Sequence, residues 1–203
     1  MAKKNRRYQI LTEEVAYRGF FNLIRIKLRH TLFQGGWSKE LWRELFQRGN
    51  CVAVIPYDPD LDHIVMIEQF RVGPLKNEDS KWMLEIIAGA IEPGETPEEV
   101  AYRETREESG CEIRELRRIT EFYTSPGGSS EKITLFYARV DASTAGGVHG
   151  LDVEDEDILV HVLPFEEAYA KVVAGEINSG IPIIGLQWLA LHREQLRQEK
   201  NSQ

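Results

Sequence analysis

Cysteine is scarce: the 203-residue chain has only Cys51 and Cys111. Two cysteines in a chain of this length make no disulfide framework, and neither lies in a CxxC pair. Both read as small core hydrophobes of a cytoplasmic protein. Long apolar runs are also missing. No stretch approaches the roughly 18 residues that would span a bilayer, so no membrane partner is expected. The basic start MAKKNRRYQI is not followed by an apolar region, so no signal peptide is expected. Positive charge is in deficit. With 25 Lys and Arg against 33 Asp and Glu, the formal net charge is −8. A nucleic-acid partner demands a basic face, so that class is set aside. A small polyanionic substrate stays open if cations screen the site. There is no internal repeat and no low-complexity tract.

Apolar residues make up 42% of the chain, enough for a full core. The first fifty residues alternate. Tyr8 to Tyr17 and Phe21 to Leu28 read as two strands with a turn at Arg18-Gly19, and Gly35-Gly36 breaks the pattern before a third strand, Trp37 to Arg48. Such a sheet has little core beneath it and is expected to lean on the main domain or on a second subunit. The division is therefore 1–48, an N-terminal antiparallel sheet for dimerisation, and 49–203, a catalytic domain.

From Cys51 the pattern becomes α/β, of the α+β type. Cys51 to Tyr57 is a buried run, Asp58-Pro59-Asp60 a turn, Ile64 to Phe70 the returning strand, and Trp82 to Ala88 another. Glu112 to Tyr123 and Lys132 to Val140 are further strands around the loop Ser125 to Ser130. Ala142 to Gly150 reads as a mobile surface segment. Acidic Asp152 to Asp157 leads into the strand Ile158 to Leu163. Pro164 opens one helix and Pro182 the last, whose polar tail is expected to fray.

The chemistry sits in GAIEPGETPEEVAYRETREESGC, residues 89 to 111. Thr96 and Glu99 make a capping box, Pro97 fits the first helical position, and Gly110 fits a left-handed stop, so the spacing predicts a helix over 97–109. Glu104 and Glu108 share a face four residues apart, with Glu107 flanking it. A solvated charge run tolerates the repulsion of a few tenths of a kcal/mol per pair. Three details favour a site instead. Arg103 can hold a neighbouring carboxylate, Gly89 marks a close backbone approach, and Glu95 can fold back from the loop toward Arg103. Oxygen ligands on one helix are what magnesium needs.

The segment fits G-x5-E-x7-R-E-U-x-E-E-x-G-U through Gly89, Glu95, Arg103, Glu104, Glu107, Glu108 and Gly110, and so resembles the Nudix box. Thr105 and Cys111 stand where aliphatic residues are usual. The resemblance implies the Nudix fold, a mixed sheet sandwiched between helices. It also implies a magnesium cofactor, or manganese in its place, with Glu104 and Glu108 as main ligands, Glu107 in support and the Ala88 carbonyl added. Glu95 and Arg103 would orient loop and helix.

Ser125-Pro126-Gly127-Gly128, IEQFRVGP, HGLDVEDEDI and LQWLALH extend the likeness to bacterial ADP-ribose pyrophosphatases. That resemblance implies hydrolysis of ADP-ribose to AMP and ribose 5-phosphate. It makes one carboxylate of the acidic loop a base and another a ligand, with Glu154 and Glu156 matched in that order and the reverse left open. Read without the box, the same stretch is a solvated loop. Arg71 reads as a phosphate clamp or as a surface ion pair. Arg43, Ser125 and Glu131 are candidate substrate contacts, and the family exchanges its N-terminal sheet in a homodimer. Arg43, Trp37 and Phe33 would then reach the neighbouring subunit's site, although Trp37 and Trp42 fit interface core equally. A GDP-sugar, a diadenosine polyphosphate or NADH is an alternative substrate, and a non-catalytic ADP-ribose sensor an alternative class.

Overall fold

A computed structural model describes residues 6–77, 80–151, 153 and 155–199. The chain forms two compact units, Met1–Asn50 with Tyr123–Lys132, and Cys51–Phe122 with Ile133–Gln203.

The first unit carries an antiparallel sheet in the order β1 (Tyr8–Arg18), β2 (Asn22–His30), β3 (Leu41–Gln47). Register shifts between Ile10 and Thr12 and between Val15 and Tyr17 put extra residues into β1. Bulges of this kind twist a strand and blunt an edge. The third strand is shorter than the sequence pattern indicates. Trp37 makes only an isolated bridge to Thr31, because Gly35 and Gly36 carry the backbone through left-handed φ values of 101° and 76°. Of the residues on the three strands, only Ile24 is buried.

The second unit is built on β4 (Cys51–Asp58), β5 (His63–Phe70), β6 (Trp82–Glu85), β7 (Ile87–Ala90), β8 (Glu115–Tyr123), β9 (Lys132–Arg139), β10 (Gly147–His149) and β11 (Ile158–Pro164). The path runs β10-β11-β5-β4-β9-β8, with β6 joined to β5 and β7 to β4. β4 is parallel to β9 and antiparallel to β5, so the sheet is mixed. Helix α1 (Pro97–Ser109) covers one face, and α2 (Phe165–Ala174) with α3 (Gly180–Glu199) the other.

Strand β4 explains the layering. Val52 and Val54 pack with Val100 and Ala101 of α1, while Ala53, Ile55 and Tyr57 pack with Leu186 and Leu189 of α3. A strand covered on both faces reads as a continuous apolar run. Each such branched side chain contributes ~1.5–3 kcal/mol by burial.

Other features of the second unit also differ from the sequence pattern. Trp82 to Ala88 is two strands broken at Ile86, because β6 pairs with β5 and β7 with β4. The Gly-rich stretch holds a 3-10 turn, Ala142–Thr144, and the strand β10, which pairs with β11. Last, α3 begins at Gly180, and its polar end stays helical to Glu199, which accepts from Arg117 and Gln195. Among the described residues no helix is long and apolar enough to cross a membrane.

Candidate active site

Helix α1 starts and stops where its sequence dictates. The Thr96 hydroxyl accepts from the Glu99 amide at 3.3 Å, and the Glu99 carboxylate accepts from the Thr96 amide at 2.8 Å. Gly110 closes the helix at φ 69° and donates to the Arg106 carbonyl at 2.9 Å. The two departures from the box are absorbed locally. The buried Thr105 hydroxyl donates to the Ala101 carbonyl at 2.7 Å, and buried Cys111 joins the core on the α1 side.

With both ends fixed, the carboxylates face β7. A Cβ on Gly89 would lie 1.7 Å from Glu104 Oε1. Only glycine leaves room for the Glu104 carboxylate against this strand. Four residues on, Glu108 is 2% exposed and accepts from the Ala88 amide at 3.0 Å. The Ala88 peptide and both carboxylates therefore meet at the middle of β7.

Arg103 ties the loop to the helix. Its Nε and Nη2 grip the two oxygens of Glu95 at 3.0 and 3.1 Å. Its Nη1 donates to Glu104 at 2.8 Å and to Glu107 at 3.1 Å. Glu95 in turn accepts from the Glu92 amide. These bonds hold the guanidinium charged.

The electrostatics are strained in one direction. Burial pushes Glu104 up to about 7; Arg103 opposes this, while Glu107 and Glu156 add repulsion. Burial raises Glu108 well above the usual carboxylate range. The Ala88 amide and Arg71 oppose that shift, and Glu104 and Glu156 reinforce it. Glu156, whose carboxylate accepts from the Leu151 amide at 3.4 Å, is thus near enough to feel both helix acids. Arg103 and Arg71 do not offset the burial of Glu104 and Glu108, and a divalent cation would favour the ionised form of each acid.

The oxygen-only donors and the Gly89 cradle suit a hard cation such as magnesium. Among the described residues, no three acidic, His or Cys side chains already converge as a coordination shell. Glu104 and Glu107 are engaged with Arg103 instead.

Arg71 makes an ion pair, the second of its sequence readings. Its Nε donates to Glu85 at 2.8 Å, and its charge reaches Glu108. Glu85 was not singled out by the sequence, although an acid inside the apolar strand WMLEII was its signal. Arg43, Ser125 and Glu131 belong to the first unit. Arg43 donates to the Trp42 carbonyl, and the Ser125 carbonyl accepts from the Gly128 and Ser129 amides. Glu131 is held by Thr124 at 2.8 Å and by Arg48 at 2.9 Å. Glu154 lies outside the described residues.

The NUDIX domain family matches residues 47–179, a span that contains the whole box and cluster. The chain belongs to the Nudix family. Among curated relatives, it is 44% identical over 191 residues to "ADP-ribose pyrophosphatase" of Escherichia coli strain K12, covering 94% of this chain and 91% of that one. It is 47% identical over 193 residues to the protein of the same name from Haemophilus influenzae, covering 94% and 89%. "GDP-mannose pyrophosphatase" of Citrobacter koseri is 38% identical over 148 residues, covering 72% and 76%. The solved "Crystal structure of ADP compounds hydrolase" has a TM-score of 0.69 at 22% identity over 91% of this chain and 95% of that chain, which supports the Nudix fold.

Proposed function

We propose that this Nudix chain is a hydrolase that splits the diphosphate of ADP-ribose into AMP and ribose 5-phosphate. The observation that carries the reading is the packing of Glu104 and Glu108 against the Gly89–Ala88 strand, on the family's own box. Likeness to two enzymes named ADP-ribose pyrophosphatase along 94% of the chain supports the substrate.

Glu104, Glu108, Glu156 and the Ala88 carbonyl would hold magnesium, or manganese in its place, with Glu107 in support. When bound, the cation neutralises the diphosphate and stabilises charge that builds on phosphoryl oxygen. The chain's own residues do the rest. Glu154 takes a proton from the attacking water, whose oxygen joins one phosphorus as the bridging P–O bond breaks. Arg71 grips a phosphate oxygen while Glu85 fixes its Nε. Arg103 and Glu95 keep helix and loop in one position, so catalysis rests on positioning and electrostatics. Arg43, Ser125 and Glu131 contact the substrate, and the N-terminal sheet pairs with a second copy in an exchanged, cytoplasmic homodimer.

The likeness to GDP-mannose pyrophosphatases, shorter and weaker, keeps a GDP-sugar as the second reading. Hydrolysis of ADP-ribose, GDP-mannose, NADH and a diadenosine polyphosphate under equal magnesium separates them. The highest kcat/KM is expected for ADP-ribose. A clear preference for GDP-mannose would replace the substrate while keeping the chemistry.

A further inference from the structure

Gln69 is 8% exposed, and its Nε2 has no hydrogen-bond partner among the described residues. An unpaired buried donor costs about 1–3 kcal/mol, and folded proteins keep few of them. One reason to keep such a donor is that its partner arrives from outside.

The sheet says where the amide faces. Along β5, Val65 and Ile67 pack into the core on the α1 side, and alternation places Gln69 and Arg71 on that side as well. Across the ladder, Gln69 pairs with Met83 and Ile67 with Glu85, so Glu85 stands diagonally beside Gln69. Glu85 is the residue that holds Arg71 by its Nε. On the other flank, β11 opens at Ile158, two residues after Glu156. The donor therefore sits in a wall shared with Arg71, Glu85 and the helix acids.

We propose that Gln69 is a substrate-binding residue whose amide donates to an oxygen of the diphosphate, beside the oxygen gripped by Arg71. The proposal rests on the diphosphate reading above. A neutral donor suits this place: it binds an anionic oxygen without adding a cation that would compete for the neighbouring acids.

The test compares wild type with Gln69→Met, which keeps length but has no donor, and with Gln69→Glu, which keeps shape but only accepts. Three quantities are measured: the thermal midpoint, the Kd for ADP-ribose in chelator by calorimetry, and kcat and KM in magnesium. Gln69→Met should fold with an unchanged or raised midpoint, because an unpaired donor has gone. It should bind ADP-ribose about tenfold more weakly, the loss of one hydrogen bond to a charged acceptor. Gln69→Glu should bind more weakly still, by like-charge repulsion. A lowered midpoint or lost fold in Gln69→Met with Kd unchanged in Gln69→Glu would overturn the proposal, as would unaltered Kd in both. If wild type prefers another nucleoside diphosphate, only the substrate reading falls, and the same variants are compared on that compound.

Discussion

Strands β1 and β4 are both long, yet every residue of β1 is exposed and every residue of β4 is buried. β4 is covered on both faces by helices of its own unit. β1 mixes apolar residues with Gln9, Thr12, Glu13, Glu14 and Arg18, and the sheet around it replaces core packing with arginines over aromatic rings. Arg25 lies 4.7 Å from the Trp42 ring centre and Arg29 4.9 Å from that of Trp37. Such contacts contribute about 0.5–1 kcal/mol each at exposed sites, against several times that for a buried aliphatic side chain. Tyr8 and Tyr17 remain 73% and 66% exposed. A three-stranded sheet with one buried residue on its strands needs a covering surface, and a second copy of the chain supplies one in the dimer proposed above. The second unit, by contrast, holds enough burial to bear buried acids.

That contrast can be broken at defined points. Glu108→Gln should lower turnover by orders of magnitude without lowering the thermal midpoint, since a neutral amide is easier to bury; a folded variant with normal turnover would remove Glu108 from the chemistry. Gly89→Ala drives a methyl into the Glu104 carboxylate, and a displacement near 1 Å is expected to cost roughly a hundredfold in kcat/KM. Normal rates in Gly89→Ala would show that the Glu104 position is unimportant. In the first unit, Val15→Asp should leave secondary structure intact but shift the protein toward monomer in sedimentation at micromolar concentration. An unchanged dimer would place the interface elsewhere.

Asp62 offers a stability test inside the second unit. Burial raises its carboxyl, but bonds from Arg193 and Tyr57 outweigh burial and hold it below the usual range. A lowered folded-state value means that its contribution is present above the ordinary aspartate range and is lost as pH falls through the folded value. Asp62 sits at φ 60°, which asparagine tolerates, so Asp62→Asn removes the charge and spares the turn. It should cost about 1.5–3 kcal/mol near neutrality and much less in acid, read by denaturant unfolding at both pH values. A pH-independent loss would contradict the linkage. At the exposed end of the scale, Glu14→Ala breaks a 3.1 Å pair with Arg25 and should change stability by less than about 1 kcal/mol.

How much could be read beforehand follows the same division. Helix α1 was legible to the residue because its capping box, first-turn proline and terminal glycine are local signals. β4 was legible because burial on both faces leaves no polar gap. The break at Ile86 was not, since it depends on which strand each half pairs with. Strand β10 was hidden by glycines whose positive φ values let a short edge pair with β11. The return of Tyr123–Lys132 to the first unit left no compositional mark. In the site, the box named the helix acids and Arg103, while Glu85 is marked by its bond to Arg71 and Gln69 by a buried unpaired amide, neither of which a spacing motif carries.

The most direct measurement is ADP-ribose hydrolysis in excess chelator and then with magnesium restored, with products identified. The account predicts no turnover in chelator and recovery with magnesium, yielding AMP and ribose 5-phosphate in equal amounts. Undiminished hydrolysis in chelator, or cleavage anywhere other than the diphosphate, would contradict it.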